Sequence, residues 1–212
     1  MMRLLSLPIA AAAFLVGAAV FAPPGAAQDR PAPPGVAPVE PPAKLPRPAP
    51  GDRAKNLDFL FEALRVAPDD DTAKHVEQRI WALWFHSGSD TADLLMSRVK
   101  SAFEAKDFDL ALQLLDAVIA FKPDYVEAWN RRATIHFLRK DYGDALADLR
   151  QVLAREPRHF GALAGLGMIL QELGEEKRAL EAFRRALAVH PRLERIPDIV
   201  RTLTDKVEGR DI

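Results

Sequence analysis

Three segments decide how this chain is read: KDFDLALQLLDAVIAFKP (106–123), KDYGDALADLRQVLAREP (140–157) and GEEKRALEAFRRALAVHP (174–191). Each opens on a turn-like tripeptide and closes on proline, and Pro123, Pro157 and Pro191 stand 34 residues apart. Ala111, Ala145 and Ala179 keep the same period, as do Leu115, Leu149 and Phe183, and then Ile119, Leu153 and Leu187. Ahead of each segment stand Leu95, Trp129 and Leu163, followed four residues later by Val99, Ala133 and Gly167. Several positions holding one register over three units mark an internal repeat, and the i, i+4 spacing within each unit is helical. The small residues predict sites where two helices cross closely, with larger apolar residues filling the space around them. Proline ends the second helix of each unit because it drives the preceding residue out of the α region.

A 34-residue unit of two amphipathic helices resembles the tetratricopeptide repeat, whose consensus places an aromatic, small residues, Ala, Phe and Pro at fixed offsets. The resemblance implies an all-α, right-handed helical-repeat solenoid with units at 92–125, 126–159 and 160–193. Arg98 and Arg132 depart from it where the family usually has leucine, and His136 where it usually has an aromatic. Upstream, residues 51–91 read as a degenerate repeat and N-terminal cap. Phe61, Leu64, Trp81, Trp84 and Phe85 lie on or near core positions, Pro68 ends a helix, and Asp69-Asp70-Asp71 begins the next. Residues 194–212 read as a capping helix and tail, with Ile196, Ile199, Val200, Leu203 and Val207 on one face after Pro197. Solenoids need such caps because a repeat buries its apolar face only against a neighbour.

Outside the repeats the composition changes. Arg3 precedes an apolar run from Leu4 to Ala22, and the small residues around Gly25-Ala26-Ala27 suit a cut before Gln28. Residues 1–27 therefore read as a secretory signal, with an uncleaved anchor as the alternative, and the expected location is exported and periplasmic. Nine of the 17 prolines fall within residues 28–50, which suits an extended polyproline II linker; its PxxP-like stretches leave a ligand role as the alternative.

The 212 residues carry 29 Lys+Arg against 30 Asp+Glu, a formal charge of -1, so there is no basic excess for wrapping nucleic acid or coating an anionic membrane. Zero cysteines exclude disulfides, thiolate metal sites and cysteine catalysis. GxSxG, HExxH and Walker motifs are missing, and GALAGLG (161–167) lies within a repeat helix with no strand before it, where close packing explains its glycines. Asp69–Asp71 lacks the glycine and glutamate of a calcium loop, and His75 and His86 are about 16 Å apart along a helix. No metal or cofactor is expected and no enzymatic activity, which leaves surface shape.

In the family that the chain resembles, the first helices line a concave groove through repeat positions 2, 5, 9 and 12. Carried over, these are Asp93, Met96, Lys100 and Phe103; Glu127, Asn130, Thr134 and Phe137; and Gly161, Ala164, Met168 and Gln171, with Arg131 beside them. The implied partner is another protein or an extended peptide, held by apolar anchors and a few polar groups. The family's carboxylate clamp is not expected, because its asparagine falls on Arg131. Two rivals stay open: an enzyme with an unrecognised site, and a self-associating scaffold in which Trp81, Trp84 and Phe85 form an exposed patch.

Overall fold

The small residues of the repeat register meet large partners in the structure. A Cβ placed on Gly167 would lie 2.6 Å from the ring of Phe183, so the two helices of the third repeat cross at a distance that only glycine allows. Ala111, Ala145 and Ala179 are fully buried at the equivalent crossings. The computed structural model describes residues 50–209, and side chains from Ala54 on. The signal and linker readings (1–27 and 28–50) lie outside the described residues, except that Pro50 begins the first helix.

The described residues form nine α-helices and no strand: α1 (Pro50–Arg65), α2 (Asp70–Phe85), α3 (Asp90–Glu104), α4 (Phe108–Phe121), α5 (Val126–Leu138), α6 (Tyr142–Arg155), α7 (Phe160–Glu172), α8 (Glu176–Val189) and α9 (Ile196–Val207). The pairs α3–α4, α5–α6 and α7–α8 are three helical hairpins that recur at the 34-residue period. Each pair turns through a residue in the left-handed region, again 34 apart: Lys106 (φ 59), Lys140 (φ 64) and Gly174 (φ 77). Behind each turn the next amide reaches back to the helix, as from Asp107 N to Ala102 O and from Glu175 N to Leu170 O, closing carbonyls the helix end leaves free. Asp107 then caps α4 by accepting from Leu110 N.

Arg132, at a position where the family usually has leucine, is matched by a departure in its own repeat. Its guanidinium bonds both oxygens of the nearly buried Asp148 and reaches Asp116 of the preceding repeat at 2.6 Å. The bonds to Asp148 outweigh the cost of burial and hold the guanidinium charged. α9 covers the outer side of α8 as expected, with Ile196 and Leu203 buried and Arg184 bound to Glu208 at 2.7 Å.

The structure departs from the sequence reading at α1 and α2. The pair breaks at Pro68, with Asp69 capping α2 through Thr72 N. Its main packing partners are not α3 and α4, as a preceding repeat would require. α1 lies on α8 and α2 on α5, so the hairpin folds back across the second and third repeats. The reason is the size of its apolar face. Leu57, Leu60, Phe61, Leu64, Trp81 and Trp84 join one core with Phe160, Leu163, Phe183 and Leu193. Each such side chain contributes on the order of 2 kcal/mol when buried, so the hairpin is an integral part of the domain.

Two substitutions separate these effects. Lys140→Gly relieves a left-handed lysine and should raise stability by about 1 kcal/mol. Gly167→Ala favours helix but drives a methyl into the Phe183 ring, and should cost about 1–3 kcal/mol, with partial recovery in Gly167→Ala/Phe183→Leu. Thermal and urea unfolding measure both; a destabilised Lys140→Gly would refute the account of the turn.

Candidate functional site

The turns that join one repeat to the next form a row along one edge of the solenoid, and the hairpin docks on that row. Residues 124–125, 158–159 and 192–193 are equivalent under the 34-residue period. Arg158 binds Asp58 at 2.7 Å and lies over the Phe61 ring, while Arg192 binds Asp70 at 2.6 Å and the carbonyls of Ala67 and Pro68. One arginine holds α1 and the other holds the turn between α1 and α2. At the next position of each turn, Tyr125 donates its hydroxyl to Phe85 O at 2.7 Å, His159 stacks flat on Trp84 with ring centroids 4.0 Å apart, and Leu193 is buried in the shared core.

His159 is fully buried and links three elements. Its Nδ1 accepts the amide hydrogen of Ala162 and so caps α7, which leaves the proton on Nε2; that N–H donates to Glu127 Oε1 at 2.8 Å. Glu127, on α5 and 1% exposed, also accepts from Asn130 Nδ2, with Arg131 at 4.0 Å. Arg131 in turn lies over the Phe85 ring of α2. A second link joins Glu77 of α2 to the buried His190, at 3.3 Å, and to Trp81 Nε1. Burial works against the Glu77 charge, but the hydrogen bonds from His190 and Trp81 outweigh it and hold the carboxyl below its usual range.

This docking redistributes the groove positions. Glu127, Asn130, Thr134 and Ala164 are buried, and Gly161 lies under Trp81, which a Cβ there would approach to 2.9 Å. Positions 2 and 5 of the second and third repeats are thus closed to a ligand. Thr134 turns its hydroxyl back to Asn130 O. Asp93 is half-buried and accepts from Ser87 N where α2 passes into α3. Met96, Phe103, Phe137 and Met168 remain half-buried, Lys100 and Gln171 are exposed, and Phe103 and Phe137 pack beside Phe108 and Tyr142 near the turns within their repeats. The exposed patch expected of Trp81, Trp84 and Phe85 does not exist: the tryptophans are 6% and 3% exposed, because they fill the seam between hairpin and repeats. Sequence reasoning passed over Arg158, His159, His190 and Arg192. The signal for them was the row of turn residues at the repeat period, beside two tryptophans with no assigned partner.

Among the described residues, no group of three or more His, Asp or Glu side chains is placed to hold a metal ion, and no helix is long and apolar enough to cross a membrane.

Known proteins share the repeat. Tetratricopeptide repeat models match residues 96–150 and 136–196. A TPR repeat-containing protein of Rhizobium etli is 41% identical over 155 residues, covering 73% of this chain and 76% of that protein. The small glutamine-rich tetratricopeptide repeat-containing protein 2 of Saccharomyces cerevisiae is 28% identical over 134 residues, covering 62% of this chain and 38% of that one. Among solved structures, the first TPR domain of Spaghetti (RPAP3), bound to an HSP90 peptide, superposes with a TM-score of 0.53 at 18% identity, over 55% of this chain and 93% of that one. MamA superposes with a TM-score of 0.53 at 16% identity, over 76% and 82%.

Because Glu77 is held below its usual range in the folded protein, it favours folding above the ordinary glutamate value of 4.5 and loses that contribution as the pH falls below it. Urea unfolding followed by tryptophan emission should therefore show a midpoint that drops on acidification below about pH 4.5, and Glu77→Gln should flatten that drop. An equal drop in Glu77→Gln would show that another group carries it.

Proposed function

The chain belongs to the tetratricopeptide repeat family, and on that premise we propose that it is a non-catalytic adaptor of the bacterial cell envelope, binding another protein or an extended peptide segment. Members of this family generally mediate protein–protein interaction. The binding surface is the part of the concave face that the hairpin leaves open: Asp93, Met96, Lys100 and Phe103 of α3, Phe137 of α5, and Met168 and Gln171 of α7.

The observation that carries this reading is a mixed surface at those positions. Half-buried Met96, Phe103, Phe137 and Met168 offer apolar anchors, and exposed Lys100 and Gln171 offer polar contacts beside them. Methionine adapts to irregular partners, and aromatic anchors set between polar groups suit an extended segment. Envelope location is supported by the charged, apolar and small-residue order of residues 1–27.

The test is capture of a partner by the processed protein after crosslinking in the envelope, repeated with Lys100→Glu and Met168→Glu. Lys100 is exposed and its pairing with Glu104 is a surface contact, so Lys100→Glu should leave the melting temperature unchanged while reducing capture about tenfold, or 1.4 kcal/mol. Asn130 is unsuitable for this purpose, because a charge placed at a buried position destabilises the fold. Equal recovery of the same partner by both variants would remove the groove from the reading, and a chain retained in the cytoplasm would remove the envelope.

A further inference from the structure

Among the described residues, the hairpin's departure from the first repeat leaves nothing packed on the outer face of α3–α4. Two stripes of one helical period lie on it: Leu94, Arg98 and Ser101 on α3 with Ala105 at its C-cap, and Leu110, Leu114 and Phe121 on α4. Leu94 is 64% exposed and Phe121 59%, and an open groove of roughly 440 Å3 runs between the stripes.

The repeat register identifies what kind of surface this is. One period after Leu94 and Ser101 stand Ala128 and Ile135, and two periods after them stand Ala162 and Ile169; all four are completely buried. They are covered because a preceding repeat packs on them, α4 on α5 and α6 on α7. The α3 side of this face is therefore a stacking surface without the helix that covers its equivalents, and beside it Leu110 and Phe121 are apolar where the second repeat carries the exposed charges of Asp144 and Arg155. It also carries a charge in need of a partner. Arg132, the equivalent of Arg98, is bound by Asp148 and Asp116, whereas the place of Asp148 in the first repeat is taken by Leu114. Arg98 has no ionic or hydrogen-bond partner among the described residues.

We propose that this face pairs with the same face of a second copy of the chain, forming a closed two-fold dimer through a layer of four helices. Head-to-tail stacking, the other way for a solenoid to associate, is blocked because α9 covers the far end of the repeats. A two-fold pairing must be self-complementary, and this face is. Asp107 lines the same groove as Arg98 at the other end of α3. An axis through Ser101 turns Arg98 of one copy toward Asp107 of the other, and turns the Leu94 and Phe121 end onto Leu110. Ser101 and Ala105 are small enough for the helices to approach closely. The dimer leaves the concave positions Met96, Lys100 and Met168 outside the interface, so it stands or falls independently of partner binding there.

Sedimentation equilibrium of the protein as the cell processes it should show a monomer–dimer equilibrium. Phe121→Arg and Arg98→Glu, both at exposed positions, should weaken it at least tenfold with an unchanged thermal melt. Because the chain has no cysteine, Ser101→Cys should give a disulfide-linked dimer on mild oxidation, while Lys177→Cys on α8 should not. A monomer mass at every concentration, a dimer that survives Phe121→Arg, or a monomer that binds a different protein through this face would each overturn the proposal.

Discussion

A carboxylate that loses almost all its water must find charge or hydrogen bonds in place of it, and Glu127 finds them in its own helix and at the head of the next repeat, under a cover of aromatic rings from α2. Asn130 and Arg131 come from its own helix, His159 heads the next repeat, and Trp84 and Phe85 of α2 close over the group. Removing one partner from such a buried pair costs about 3–5 kcal/mol, far more than the pair adds over an apolar equivalent. The constraint fixes geometry more than it adds stability. His159 can serve Glu127 only with its proton on Nε2, and the Ala162 amide enforces that by occupying Nδ1. The same ring thereby caps α7 and provides the flat surface on which Trp84 stacks.

From that junction follows the asymmetry of the molecule. The three repeats are nearly equivalent by sequence period, but the hairpin makes them unequal. It covers the leading ends of α5 and α7, takes hold of the turns at Arg158 and Arg192, and leaves α3–α4 with an uncovered outer face. The short connection through Ser87 and Gly88, the latter at φ 79, reverses the chain so that α2 can lie on α5 while α3 begins the solenoid. The open concave surface is thus shorter than a three-repeat groove and is displaced toward the turns within the repeats, where Phe103 and Phe137 sit.

Much of the fold was legible. Gly167 and Ala179 announced close crossings because small residues at a fixed period have few other uses, and Phe183 fills the space against Gly167. Pro123, Pro157 and Pro191 announced the turns between repeats. The candidate site was less legible. Lys100 is exposed and Met96 and Met168 are half-buried, whereas Glu127, Asn130 and Ala164 are buried. Their sequence positions are equivalent; what differs is a neighbour more than 40 residues away in the chain.

The sequence by itself determined the repeat, its close crossings and its C-terminal cap, because each depends on contacts between residues within one or two units, and such contacts leave a period. Only the tertiary structure decided where α1 and α2 lie, and so which groove positions stay open and which repeat face is bare. The hairpin occurs once, so no period records its contacts. Its partners, Glu127, Arg158, His159 and Arg192, are ordinary polar residues until folding brings Asp58, Asp70 and the two tryptophans against them.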